Sequence, residues 1–284
     1  MKDVAFGQYY PVSSFVHRLD PRLKIVFLIA YIVAIFLAKN FYALAVCALV
    51  LILAVALSRV PVLKVLRSIR AVLFLLLFTA CINLLFHGGD TVYWQWKIFT
   101  VSKEGILFSA FLVIRLVLLV MCSSMLTYTT TPVSLTDGIE SLLTPLKWIK
   151  FPVHELALIM SIALRFIPIL MDETERIKNA QKARGAHFDT GGPIQKIKAI
   201  VPVLIPLLLC AFRRADELGD AMDARCYMGS KHRTKYKKLR FTWRDLVAFL
   251  VGAILVTGVV LLNIYEAPVT AFFVYLLKLM GLPL

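Results

Sequence analysis

Long uncharged apolar runs dominate the chain, and the polar residues that interrupt them mark out its elements. Residues 25–57 are apolar except for Lys39 and Asn40. A single helix of that length would measure about 50 Å, against a hydrocarbon core of ~30 Å. Lys39-Asn40 therefore reads as the tip of a helical hairpin, with spans near 25–38 and 41–57. A basic connector carrying Arg59, Lys64, Arg67 and Arg70 leads to a third span at 71–86. A fourth span is expected at 106–126 and a fifth at 245–264, while the apolar tail 268–282, with Lys278, is left open as a sixth span, an interfacial helix or a packed helix. The runs show no period-two alternation, so the spans are helices rather than barrel strands. The expected class is an all-α integral membrane protein of about five to six transmembrane helices, with long cytoplasmic helices in addition.

Composition agrees. Of 284 residues 60% are hydrophobic, and a mean hydropathy of +0.81 excludes a soluble globular domain. The net charge of +15 sets the orientation, because lysine and arginine concentrate on cytoplasmic loops. His17, Arg18, Arg22, Lys24 and the 58–70 connector are expected inside. The 87–105 loop, with His87-Gly88-Gly89-Asp90 and the belt aromatics Tyr93, Trp94 and Trp96, is expected outside. Four regions follow: an N-terminal cytoplasmic segment (1–24), a four-span membrane domain (25–126), a cytoplasmic or interfacial domain (127–244), and a C-terminal span with its tail (245–284). A basic surface can also bind nucleic acid, but an oily chain of this kind directs the charge to the bilayer surface, and no nucleic-acid partner is expected. No apolar signal region lies in the first 24 residues.

The 127–244 region differs from the spans. Leu135, Ile139, Leu142, Leu143 and Leu146 recur at helical spacing, with Ser134, Asp137, Glu140, Ser141 and Lys147 on the other side. That predicts an amphipathic interfacial helix over 133–149, bent at Pro145 and anchored by Trp148. Segments 153–171 and 194–212 are apolar enough to be mistaken for a transmembrane hairpin. A hairpin would put Arg176, Lys178, Lys182 and Arg184 outside, against the charge bias. Two long helices, apolar at their starts and polar as they enter the cytosol, fit better. Lys231 to Arg240, which contains no acid, reads as a basic collar on the membrane surface.

Catalytic signatures are missing from the sequence. It contains no phosphate loop, no G-x-G-x-x-G, no H-E-x-x-H and no G-x-S-x-G. His17, His87, His154, His187 and His232 are scattered, and Cys47, Cys81, Cys122, Cys210 and Cys226 form no C-x-x-C pair, so neither a metal site nor a disulfide framework is expected. The chain is therefore read as a non-enzyme with no cofactor of its own. Within the four membrane-domain spans the one ionisable residue is Arg115. Such an arginine costs roughly 2.5–3.5 kcal/mol at mid-membrane on the insertion scale. Two readings of it stay open: bonding to carbonyls and to Asn83, or contact with a carboxylate on a partner.

One short pattern occurs twice. Ala183-Arg184-Gly185 and Ala224-Arg225-Cys226 each end a charged helical stretch, and each stretch is preceded by Ile-Pro, at Ile167-Pro168 and Ile205-Pro206. Either copy alone would be ordinary helix surface at a stop. The pair suggests two presented arginines, each offering a rigid donor fork to carboxylates in a similar groove.

The whole chain resembles the transmembrane T component of energy-coupling factor transporters, ABC importers for vitamins and metal ions. The resemblance is most specific at His17-Arg18-Leu19-Asp20-Pro21-Arg22-Leu23-Lys24 and at the two arginine motifs. It implies that these motifs end cytoplasmic coupling helices, with Arg184 and Arg225 docking two cytosolic ATP-binding cassette subunits. It also implies that ATP and Mg are bound by those subunits, and that Leu135, Ile139, Leu142, Leu143 and Leu146 help to hold a small membrane-embedded, substrate-binding S component. Cys226 departs from the Ala-Arg-Gly pattern and puts the need for glycine there in doubt. The alternatives are a T component dedicated to nickel or cobalt and, in a different class, a membrane channel or scaffold.

Overall fold

The structure is a computed structural model, and it describes residues 9–86, 92–96, 99–186, 188, 192–229 and 241–265. The 231–240 collar, the 268–282 tail, His87, His187 and His232 lie outside the described residues. The architecture is all-α apart from one short β-hairpin: α1 (Pro21–Leu37), α2 (Phe41–Ser58), α3 (Val62–Phe86), β1 (Val92–Trp96), β2 (Phe99–Ser102), α4 (Lys103–Thr129), α5 (Pro132–Leu143), α6 (Val153–Ala183), α7 (Pro193–Asp223) and α8 (Trp243–Ile264). By length and composition α2, α3, α4, α6 and α8 can each cross a membrane. With 17 residues, α1 reaches only about 26 Å. The described residues fall into two compact units, 9–138 with 241–265 and 139–229, and the division lies inside α5.

Three expectations need correcting. The third helix begins at Val62 rather than at 71, because its hydrogen-bond ladder continues through Lys64, Arg67 and Arg70, where the apolar run has not yet started. Part of the 87–105 loop is an antiparallel hairpin pairing Val92 with Ser102 and Trp96 with Phe99, with a bulge between Val92 and Trp94. Its β-branched and aromatic residues suit extended backbone. The 133–149 amphipathic helix is not continuous. It stops at Leu143, and Thr144–Ile149 tightens into a 3₁₀ segment with Pro145 at its start. Proline has no N–H to continue the α ladder.

In the first unit, α1 starts on strong local signals. The Asp20 carboxylate accepts from the Arg22 N–H at 2.9 Å, and Pro21 takes the first helical position. Tyr31, Ala34, Ile35, Cys47, Leu51, Cys122, Leu255 and Val259 form a close-packed centre, and the Tyr31 hydroxyl donates to the Cys47 carbonyl at 3.1 Å. Small residues let helices approach. A Cβ on Gly252 would stand 3.2 Å from the Phe27 ring, and one on Gly138 would stand 3.1 Å from Pro21. Large apolar side chains such as Phe36, Ile52, Phe74 and Ile254 point outward, as lipid-facing helices require.

Polar groups tie the ends of this bundle. Lys24, 9% exposed, donates to the Thr129 carbonyl at 2.9 Å, the His17 carbonyl at 3.2 Å and Thr130 Oγ1 at 3.3 Å. Asp245, 2% exposed, accepts from the Thr242 N–H at 2.7 Å and the Asp20 N–H at 2.9 Å, which joins the start of α8 to the start of α1. At the opposite end of α1, Asn263 of α8 donates to the Leu37 carbonyl at 2.6 Å and accepts from the Lys39 N–H at 3.2 Å.

Candidate functional site

The second unit carries the arginine motifs on its two longest helices. Both α6 and α7 run 31 residues without a break, although Pro168 lies inside α6 and Pro202 and Pro206 lie inside α7. A proline leaves the carbonyl four residues earlier without its donor. At Pro206 that carbonyl belongs to Pro202, and Gln181 Nε2 of α6 reaches it at 3.5 Å. The two helices therefore meet near the end of α6 and the first third of α7.

The end of α6 closes with a complete Schellman motif. The Gly185 N–H donates to the Lys182 carbonyl at 3.0 Å, and the Ala186 N–H donates to the Gln181 carbonyl at 3.0 Å. Gly185 has φ +87°, and Arg184 is the C-cap. At the end of α7 the Cys226 N–H donates to the Asp223 carbonyl at 2.9 Å, and the Tyr227 N–H donates to the Met222 carbonyl at 3.1 Å. Cys226 has φ +55°. The second motif has the same bonding pattern, with Arg225 at the position of Arg184 and Cys226 at the position of Gly185. Glycine is thus not obligatory at the third place, but left-handed backbone is. Ala183, Arg184, Gly185, Ala224, Arg225 and Cys226 are all exposed, so each cap holds its arginine outward behind a small alanine.

The two tips are separate. Gln181 lies one turn from Arg184, whereas Arg225 follows Pro202 by the remaining length of α7. At 1.5 Å per residue this sets the arginines on the order of 30–40 Å apart. They cannot share one ligand. They also differ in surroundings, a feature the sequence displayed but motif matching did not weigh. Over the nine residues before each arginine, Glu175, Arg176, Lys178 and Lys182 precede Arg184, while Asp216, Glu217, Asp220 and Asp223 precede Arg225, and all four of those last acids are exposed. The residues completing each cap, Ala186 and Tyr227, likewise escaped the sequence reading. The signal available was Gly185 just past a charged helical run.

The remaining candidate residues are dispersed. Leu135, Ile139, Leu142 and Leu143 on α5 are half-buried, and Leu146 in the 3₁₀ segment is exposed. Trp148 is 95% exposed, as an interfacial anchor would be. Within the second unit His154 of α6 pairs with Glu140 of α5, Nδ1 to Oε1 at 2.8 Å. Arg115 of α4 does not meet Asn83, which donates instead to the Thr79 carbonyl. Its guanidinium donates to the Ala38 carbonyl at the C-terminus of α1 and stacks on Phe111, with Cζ 4.6 Å from the ring centre. A cation at a helix C-terminus opposes the dipole's negative end. Arg115 Nε is buried and has no partner among the described residues.

Comparison with known proteins finds relatives over most of the chain. The profile of the CbiQ family, described as "Cobalt transport protein", matches residues 12–236. The chain is 46% identical over 263 residues to the "Energy-coupling factor transporter transmembrane protein EcfT" of Ruminiclostridium cellulolyticum, covering 93% of this chain and 98% of that one. It is 43% identical over 258 residues to the protein of the same description from Bacillus subtilis, covering 90% and 97%. A third, from Brevibacillus brevis, is 47% identical over 256 residues, covering 90% and 97%.

Proposed function

The chain belongs to the transmembrane T-component family of energy-coupling factor transporters, and we propose that it passes ATP-driven motion from two cytosolic ABC ATPase subunits to a membrane-embedded S component that delivers a vitamin or other micronutrient. The observation that carries this reading is the repeated cap. Two long helices end in the same Schellman geometry, each presenting an exposed arginine, with the two tips too far apart for one binding site. Two grooves, each lined with carboxylates, are the complementary surface. Rigid α-helical arms are suited to carrying displacement, and the prolines at 168, 202 and 206 give them places to bend.

In this account ATP and Mg are bound by the partners, and this chain is a non-catalytic subunit. The N-terminal segment and the basic connectors face the cytosol. Leu135, Ile139, Leu142, Leu143 and Leu146 contribute to the surface on which the S component rests. The unlike charge around the tips favours unlike partners. The basic surroundings of Arg184 match a strongly acidic groove. The carboxylates beside Arg225 call for a groove in which cations flank the acid that receives the arginine.

A second reading is a T component dedicated to nickel or cobalt, favoured by the "Cobalt transport protein" description of the matching family. The two are separated by co-purification. The tagged chain is extracted from its native membrane in mild detergent, and its partners are identified by mass spectrometry. Two different ATPases and a small apolar membrane protein support the shared vitamin-type reading. One kind of ATPase with a metal-binding membrane subunit supports the other. In either case Arg184→Glu with Arg225→Glu should release the ATPases, since like charges in a desolvated contact cost several kcal/mol. Retention of the ATPases by the double variant refutes the docking role.

A further inference from the structure

The first unit contains a groove that the coupling role does not use. It is a cavity of about 320 Å³ between the starts of α1 and α8 and the ends of α2 and α4. Phe27, Val50, Ala54, Leu57, Met125 and Val251 are among its walls, and almost all of its lining is apolar. The exceptions are already committed. Lys24 Nζ bonds to two carbonyls and to Thr130, and the Tyr31 hydroxyl bonds to the Cys47 carbonyl. The Thr129 hydroxyl of the wall donates to the Met125 carbonyl, which leaves the weakly polar Cys122 thiol as the one side-chain group there without such a bond among the described residues.

Its mouth, however, carries charge. Phe15 lines the rim, and the Arg244 guanidinium stands 5.9 Å from the centre of its ring. Arg18 adjoins Leu19 of the wall, and Arg59 closes α2 two residues after Leu57. An apolar slot with the Arg244 cation beside Phe15 of its lining is complementary to an amphiphile with an anionic head.

Dimensions narrow the choice. From Lys24 to Tyr31 the groove follows α1 for about 10 Å, within the depth of one leaflet of a ~30 Å core. A flexible hydrocarbon chain fits. The groove opens among membrane-spanning helices at the end that carries the basic N-terminal segment, where anionic lipids are expected to be richest.

We propose that this groove is a site for an anionic phospholipid of the cytoplasmic leaflet, with an acyl chain between α1, α2 and α4 and the phosphate against Arg244. Such a lipid would wedge the cytoplasmic ends of four helices and make assembly sensitive to lipid composition.

The test uses the full chain reconstituted in phosphatidylcholine vesicles with a trace of phosphatidylglycerol or phosphatidylcholine bearing a diazirine in one acyl chain. Labelled positions are mapped by peptide mass spectrometry. The glycerol lipid should label residues 50–57 and 125–129 about five-fold more than the choline lipid does, and excess unlabelled phosphatidylglycerol should suppress that labelling. Arg244→Gln should reduce the preference to parity. Ala54→Phe should abolish groove labelling while labelling near Phe74 on the outer face of α3 persists. Equal labelling by the two lipids in the unaltered chain, or labelling spread evenly over α3 and the groove, would overturn the proposal. The competition and Arg244 arms stand even if the Ala54→Phe substitution perturbs folding.

Discussion

Exchanging the third residue of the two arginine motifs should move the two caps in opposite directions. Cys226 holds φ +55°, a left-handed conformation that costs an L-residue about 1–2 kcal/mol. Glycine adopts it freely but loses more backbone entropy on ordering, about 0.5–1 kcal/mol. Cys226→Gly should therefore steady the α7 cap by about 0.5–1 kcal/mol. Gly185→Ala is the mirror experiment. A Cβ there meets nothing within 4 Å, so the cost is that of the backbone alone, about 1 kcal/mol. Amide hydrogen exchange of the purified protein reads both. The N–H groups of residues 226 and 227 should exchange about two to five times more slowly in Cys226→Gly, and those of residues 185 and 186 about five times faster in Gly185→Ala. Unchanged exchange at both tips, or a faster α7 cap in Cys226→Gly, would refute the claim that left-handed backbone sets the presentation of Arg184 and Arg225.

Three further outcomes follow from the first unit. Asp245→Ala orphans the buried Asp20 N–H, which should cost about 1–3 kcal/mol, and removes the cap on the more exposed Thr242 N–H, seen as a fall in Tm in detergent, with Asp245→Asn intermediate. Burial, reinforced by the charge of Lys24 and only partly offset by the Tyr10 carbonyl, holds the His17 imidazole below its ordinary pKa of 6.5. The fold thus favours neutral His17, and its stabilising contribution should be lost as pH falls from 6.5 through the lowered value, a dependence that Tm measured against pH should show and that His17→Gln should flatten. Arg115→Met exchanges one carbonyl bond at the end of α1 for relief of a charge within the membrane, so Tm should change little and co-purified partners should stay. Loss of a partner would revive the reading in which Arg115 meets a carboxylate on another chain.

Helices α2, α3, α4 and α8 were legible because each carries an apolar run close to bilayer length, and the hairpin tip at Lys39-Asn40 because no single helix could hold residues 25–57. Helix starts were less so. Hydropathy registers where water is excluded, not where hydrogen bonding begins, which is why α3 opens nine residues before the expected 71. Asp20-Pro21 and Thr242-x-x-Asp245 form the caps of α1 and α8, which the hydropathy reading did not use, and nothing local announces that the Asp245 carboxylate reaches the Asp20 N–H across the bundle. The partner of Arg115 was unreadable for a similar reason, since it depends on where the short α1 ends beside the longer α4. At the tips, Gly185 signalled a cap by itself. Cys226 has no such propensity, and its left-handed backbone became credible only through the parallel with the first motif.

The central claim is that the two arginine tips are seated on ATPases. The most direct measurement places a photoreactive amino acid at Ala183 or Ala224 in the full chain expressed in its native membrane, with irradiation and identification of what is captured. The account predicts that each position captures an ATP-binding cassette subunit, and that adding Arg184→Glu or Arg225→Glu in the same tip removes the capture. Capture of lipid or of no ATPase at either position, from membranes that support normal uptake, would contradict it.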